Sequence, residues 1–205
     1  MSNDREALIQ RGLQLNYLTL AYNVLEALLS LAAGVRSGSI ALMGFGFDSV
    51  IEVAASGAAQ WRLRADADRA SRARVERLTA RIIACSFLLL GIYVLTDSIA
   101  SLWRREQPRP STLGVVVLGV SVVVMPALAR AKRHVAHRVE SVALSGEAAQ
   151  TSLCAYLSAI ALAGVVLNAW FGWWWADPAA ALAMVPIMVR EAADGLRGRH
   201  CSDGC

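Results

Sequence analysis

Residues 39–61 read SIALMGFGFDSVIEVAASGAAQW, and the meaning of Asp48 and Glu52 within them decides the fold. The stretch is long enough to cross a hydrocarbon core, which takes roughly 20 mostly apolar residues of helix. Its two acids stand four apart, so they share one helical face. Asp48 lies nine residues beyond Ser39, or about 13 Å at 1.5 Å per residue, close to half of a roughly 30 Å core. Each ionised carboxylate at that depth costs about 2.5–3.5 kcal/mol, and the two together on the order of 6 kcal/mol, comparable to the whole stability of a small domain. Acids kept at that cost are protonated, hydrated or balanced by a cation. The bland alternative is a buried, hydrogen-bonded structural pair.

Working outward, the rest of the chain is of one kind with this stretch. Of its 205 residues, 56% are hydrophobic, and the mean hydropathy is +0.46, too apolar for an ordinary soluble fold. Five more stretches qualify as spans, at about 12–34, 79–103, 112–130, 141–168 and 173–189. The sequence therefore predicts an all-α integral membrane bundle of six transmembrane helices. Residues 1–11 form a cytoplasmic N-terminal segment, 12–193 the transmembrane domain and 194–205 a short cytoplasmic tail. The opening MSNDREALIQRG has no apolar core or cleavage site of a signal peptide. The connection RLRADADRASRARVER (62–77) is too charged to bury and is expected to be a loop with helical extensions.

The formal charge of +4 does not point to nucleic acid, because the basic residues sit between apolar blocks rather than along one face. Sorted by alternating connections, one side holds Arg5, Arg11, the cluster from Arg62 through Arg81, the group Arg130, Lys132, Arg133, Arg138, and the tail Arg190, Arg197, Arg199. The other side holds Arg36, Arg104, Arg105 and Arg109. By the positive-inside rule both termini are cytoplasmic, in the plasma (cytoplasmic) membrane, and the number of spans is even. The aromatic run Trp170–Trp175 then falls at the outer interface, where such rings anchor. Cys85, Cys154, Cys201 and Cys205 are too scattered for a disulfide framework and are expected as thiols.

Further polar residues sit where lipid-facing helices exclude them. The first span carries Asn23 and Glu26; the fifth, SVALSGEAAQTSLCAYLSAIALAG (141–164), places Glu147, Gln150 and Cys154 on one stripe. No Lys, Arg or His lies inside spans one, two or five, so these acids are expected to lack a cationic partner within the membrane helices. Aligning Ser39 with Ser141 pairs Ala41 with Ala143, Leu42 with Leu144, Gly44 with Gly146 and Ser56 with Ser158. The same offset pairs Asp48 with Gln150 and Glu52 with Cys154, so helices two and five form an internal repeat. In the topology above they run in opposite directions, which makes the repeat inverted and brings both pairs to the midplane, where inverted-repeat transporters place their site. Two carboxylates, an amide oxygen and a thiolate suit a zinc-like tetrahedral ion rather than magnesium or calcium. Gln150 is the weak member, and its other reading is to orient a neighbour.

SGSIALMGFGFDSVIEVAAS (37–56), GIYVLTDSIASL (91–102), ESVALSGEAAQTSLCAYLS (140–158) and ADPAAALAMVPIMV (176–189) together resemble the cation diffusion facilitator family. The resemblance spans nearly all six helices. It implies a secondary transporter that exports a divalent cation, zinc above all, in exchange for protons, with no resident cofactor and as a homodimer. The family's central site is a pair of helix-two residues four apart and a matching pair on helix five, which fall here on Asp48 and Glu52 and on Gln150 and Cys154. Gln150 and Cys154 stand where the family usually has His and Asp, and the family's cytoplasmic domain after helix six is missing.

Other candidates divide between use and scaffold. Glu147 reads as an access-path acid or an interfacial carboxylate, and Glu26 with Asn23 as a proton path or as helix glue. Asp177, before Pro178, reads as the cap of its own helix, and Asp97 as an acid toward the outer face. His134 and His137, in the loop before helix five, and His200, Cys201 and Cys205 in the tail could hold a metal in transit, against the plainer reading of solvated groups. The competing function is a non-transporting metal-binding or scaffolding membrane subunit. An enzyme is disfavoured, since neither H-E-x-x-H nor G-x-S-x-G occurs.

Overall fold

The computed structural model describes residues 2–64, 69–139 and 142–197, which form helices joined by short connections, with no strand among them. Six helices follow in chain order: α1 (Ser2–Ser37), α2 (Ile40–Arg64), α3 (Arg69–Arg104), α4 (Thr112–Val139), α5 (Val142–Phe171) and α6 (Ala176–Leu196). Ser141, the tail with His200, Cys201 and Cys205, and the centre of the charged connection at 65–68 lie outside the described residues. The rest of that connection is the anticipated helical extension, α2 continuing to Arg64 and α3 starting at Arg69.

Five of the helices are long and apolar enough to cross a membrane. Their outward faces carry bare aliphatic surface, Leu28, Leu89 and Val123 each being more than 60% exposed. That is the pattern of helices solvated by lipid. The helix anticipated at 173–189 forms as α6, but every 18-residue window of it carries three or four of Asp177, Arg190, Glu191 and Asp194. Its composition alone does not make it a span. What holds it is packing: Ala181, Met184 and Met188 are buried as it lies along α3 and α5.

One end of the bundle is tied by hydrogen bonds between connections. Arg109 N donates to Ser37 O at 2.8 Å, and Asn168 Nδ2 to Pro108 O at 2.9 Å. Asp177 accepts from Ser39 Oγ and from the backbone N–H of Ile40 at 2.8 Å. The ends of α1, α3 and α5 and the starts of α2, α4 and α6 therefore meet there, α2 and α5 run in opposite directions, and the start of α1 and the end of α6 lie at the other end. Gly38 and Gly172 make the matching turns out of α1 and α5 at positive φ, 71° and 66°, which costs a glycine nothing. Asp177 thus caps α2 rather than its own helix, α6, where no side-chain cap is formed. A carboxylate six helices along the chain supplies the acceptor that Ser39 and the first amides of α2 need.

Helices α1, α4, α5, α6, α3 and α2 neighbour one another in that cyclic order, and α2 also reaches inward to α5 and α6. It is the axis of the bundle. Ala41, Leu42 and Phe45 have no exposed surface and pack with Val94, Leu118, Ala161 and Met184. Close approach depends on small residues: a Cβ at Gly164 would stand 2.5 Å from Ala180 Cβ, and one at Gly46 2.8 Å from Leu31.

Two expectations change at α4. It does not stop near residue 130 but continues to Val139, so His134 and His137 are exposed on a helix rather than in a loop. Lys132 is carried with it into the bundle, where it is completely buried. Met125, Leu128, Ala129, Lys132, Val135 and Ala136 form one buried stripe at helical spacing. The membrane helices do contain a basic residue.

Candidate metal centre

Asp48 and Glu52 project from α2, the central helix, and are 3% and 4% exposed; Cys154, on α5, is 1% exposed. Because the helices are antiparallel, the fourth turn of one meets the fourth turn of the other near the middle of the bundle. Cys154 Sγ donates to Glu52 Oε2 at 2.9 Å and approaches Asp48 Oδ2 at 3.4 Å. Asn23, on α1, adds its Nδ2 to the same Glu52 oxygen at 2.6 Å. Neither acid meets a Lys, Arg or His among the described residues.

A narrow cavity adjoins this cluster. Asp48, Glu52, Gln150, Cys154 and Glu191 line it, between walls of Phe87, Leu157 and Met188. Gln150 therefore reaches the cavity but remains half-buried, and it makes no side-chain hydrogen bond among the described residues. Glu191, unanticipated in the sequence, brings an acid from α6 to the same space.

Whether a zinc-like ion could replace the thiol proton is a matter of distances. An S and an O sharing a tetrahedral zinc, at about 2.3 and 2.0 Å from it, stand roughly 3.5 Å apart. The Cys154–Asp48 separation of 3.4 Å already has this value, and the Cys154–Glu52 separation of 2.9 Å is shorter by about 0.6 Å. Among the described residues no group of three or more His, Cys, Asp and Glu is arranged to hold a metal ion as it stands. The trio is drawn together by hydrogen bonds.

Two polar clusters flank the centre. Glu26, 2% exposed, accepts from Ser49 Oγ at 3.0 Å and from Ser121 Oγ, whose oxygen lies 2.9 Å from the Tyr22 hydroxyl. Glu26 and Asn23 thus point to different partners: Asn23 serves Glu52, whereas Glu26 joins α1 to α2 and α4. Toward the end of the bundle where the termini lie, Lys132 Nζ donates to Glu147 Oε2 at 3.5 Å, Thr151 Oγ1 at 3.3 Å and Asn16 Oδ1 at 3.4 Å. Glu147 is the partner of a buried ammonium. A reading of the sequence could have found Lys132 from its place in the α4 stripe. The two serines carry no such signal, because serine is common on any helix interface.

The family model of the cation efflux transmembrane domain matches residues 17–197, which takes in all of these side chains but Asn16. No curated protein matches the chain.

Proposed function

From the premise that this chain belongs to the cation efflux family, membrane cation transporters and not enzymes, we propose that it exports a zinc-like divalent cation from the cytoplasm in exchange for protons. The observation that carries the reading is the convergence of Asp48, Glu52 and Cys154 from two antiparallel helices at a buried point where, among the described residues, no basic side chain is in hydrogen-bond or ion-pair contact with either acid. Three groups that can each lose a proton, one of them a thiol, favour a borderline-soft ion. Gln150 and Glu191 line the way to it. Binding requires the ligands to be deprotonated, so protons arriving from outside compete with the ion and drive its release. The reading takes all six helices as spans, α6 included, with both termini cytoplasmic in the plasma membrane and the chain as a homodimer.

Proteoliposomes loaded with a zinc indicator and a pH dye test this. Zinc flux accompanied by opposite proton movement is expected from the native chain, and a drop of at least about a hundredfold from Asp48→Ala, the loss of a charged ligand. Undiminished flux in that variant would remove the centre from consideration. A second reading, a metal-binding or scaffolding subunit that moves no ion, is favoured by one observation: the side chain of Gln150, at the position of a family ligand, makes no hydrogen bond among the described residues. It predicts zinc binding without flux, and flux gained by Cys154→Asp.

A further inference from the structure

The proposed centre has three proton-bearing ligands and needs a fourth donor for a tetrahedral ion. Gln150 is the member its place in the repeat nominates, but it is half-buried, longer and unanchored, and ordering such a side chain costs entropy. Asn23 differs on each point. It is 3% exposed, its Nδ2 already stands 2.6 Å from Glu52 Oε2, and its Oδ1 is buried with no hydrogen-bond partner. An unsatisfied buried acceptor is destabilising, a cost that a cation would relieve.

We propose that Asn23 is the fourth ligand, its amide oxygen completing the set made by Asp48, Glu52 and Cys154, so that the centre is built by α1, α2 and α5. While the thiol keeps its proton, the amide uses its N–H end on Glu52. When a metal ion takes the place of that proton, the amide turns by half a revolution about its last side-chain bond and presents Oδ1 to the ion. The two ends are nearly isosteric, so the turn leaves the packing intact. Two oxygens on one tetrahedral zinc stand roughly 3.4 Å apart, so the 2.6 Å pair opens by less than about 1 Å. Gln150 is then a cavity-lining residue.

This assignment rests on the zinc centre proposed above, and one titration separates the two. The full-length chain in lipid nanodiscs is titrated with zinc against a chromogenic chelator. Asp48→Ala loses zinc binding if the centre is correctly placed. Asn23→Leu weakens zinc binding by roughly 10- to 100-fold, and Gln150→Leu by less than about threefold. Asn23→Asp carries the sign: a ligand replaced by a carboxylate tightens binding by roughly tenfold, as added ligand charge does. A residue that only donates a proton to Glu52 would instead set a third negative group against that acid and weaken binding. Weakened binding in Asn23→Asp, or native affinity in Asn23→Leu, overturns the assignment while leaving the centre standing. Zinc retained by Asp48→Ala removes the centre itself, and a native chain that takes up no zinc removes both.

Discussion

Cys154 sets the character of the proposed centre, because it places a sulfur between two carboxylates. Cys154→Ser keeps the hydrogen bonds and removes the softness, so the preference for zinc over manganese should fall by roughly tenfold or more, read by competition of the two ions for the purified protein. Lys132 is the residue-scale surprise. It is completely buried, with its ammonium 3.5 Å from Glu147, itself 23% exposed. Removing one partner of such a pair leaves the other uncompensated. Lys132→Met is expected to destabilise by about 1–3 kcal/mol, and Glu147→Gln in the same chain to restore most of the loss. Unfolding midpoints in detergent measure both, and equal midpoints for single and double variants would dissolve the pairing. A one-dimensional reading treats Lys132 as a charge beside a span; only its neighbours show which side of the helix wall it lies on.

At the scale of elements, α2 is fixed by a group from the far end of the chain. Asp177 receives Ser39 Oγ and the Ile40 amide, joining the starts of α6 and α2. Asp177→Ala should cost about 0.5–2 kcal/mol, the usual worth of a helix N-cap, seen as a lower thermal midpoint with zinc affinity unchanged, since the cap sits at the opposite end of α2's first turns from Asp48. A changed affinity with an unchanged midpoint would assign Asp177 to the centre instead. The repeat between α2 and α5 was legible because their sequences share small and polar residues at one offset. The extent of α4 was not, since the charged run after residue 130 reads as solvated whether or not it is helical. Continuity into Val139 comes from burial of the Val135 and Ala136 face against the bundle.

For the whole molecule, the proposed exchange of metal for protons predicts the sign of its pH response. Zinc must displace the Cys154 thiol proton and find both carboxylates ionised, so affinity falls as pH falls, by roughly tenfold per pH unit for each proton displaced. Zinc titrations across a pH series check it, and an affinity flat in pH would exclude a coupled thiol and carboxylate centre. In vesicles the same competition makes flux rise when the side receiving the ion is more acidic.

The order of residues determined by itself that the chain is a membrane helical bundle, because apolar runs of bilayer length have no other stable use. It also determined that Asp48, Glu52 and Cys154 belong together, because repeat and helical period are one-dimensional facts. Tertiary structure alone decided the partners: Asn23 on Glu52, Ser49 and Ser121 on Glu26, Lys132 on Glu147, Asp177 on the start of α2. The physical reason is that a buried polar group takes whichever donor or acceptor packing brings within about 3 Å, and packing joins residues that the chain keeps up to 138 positions apart.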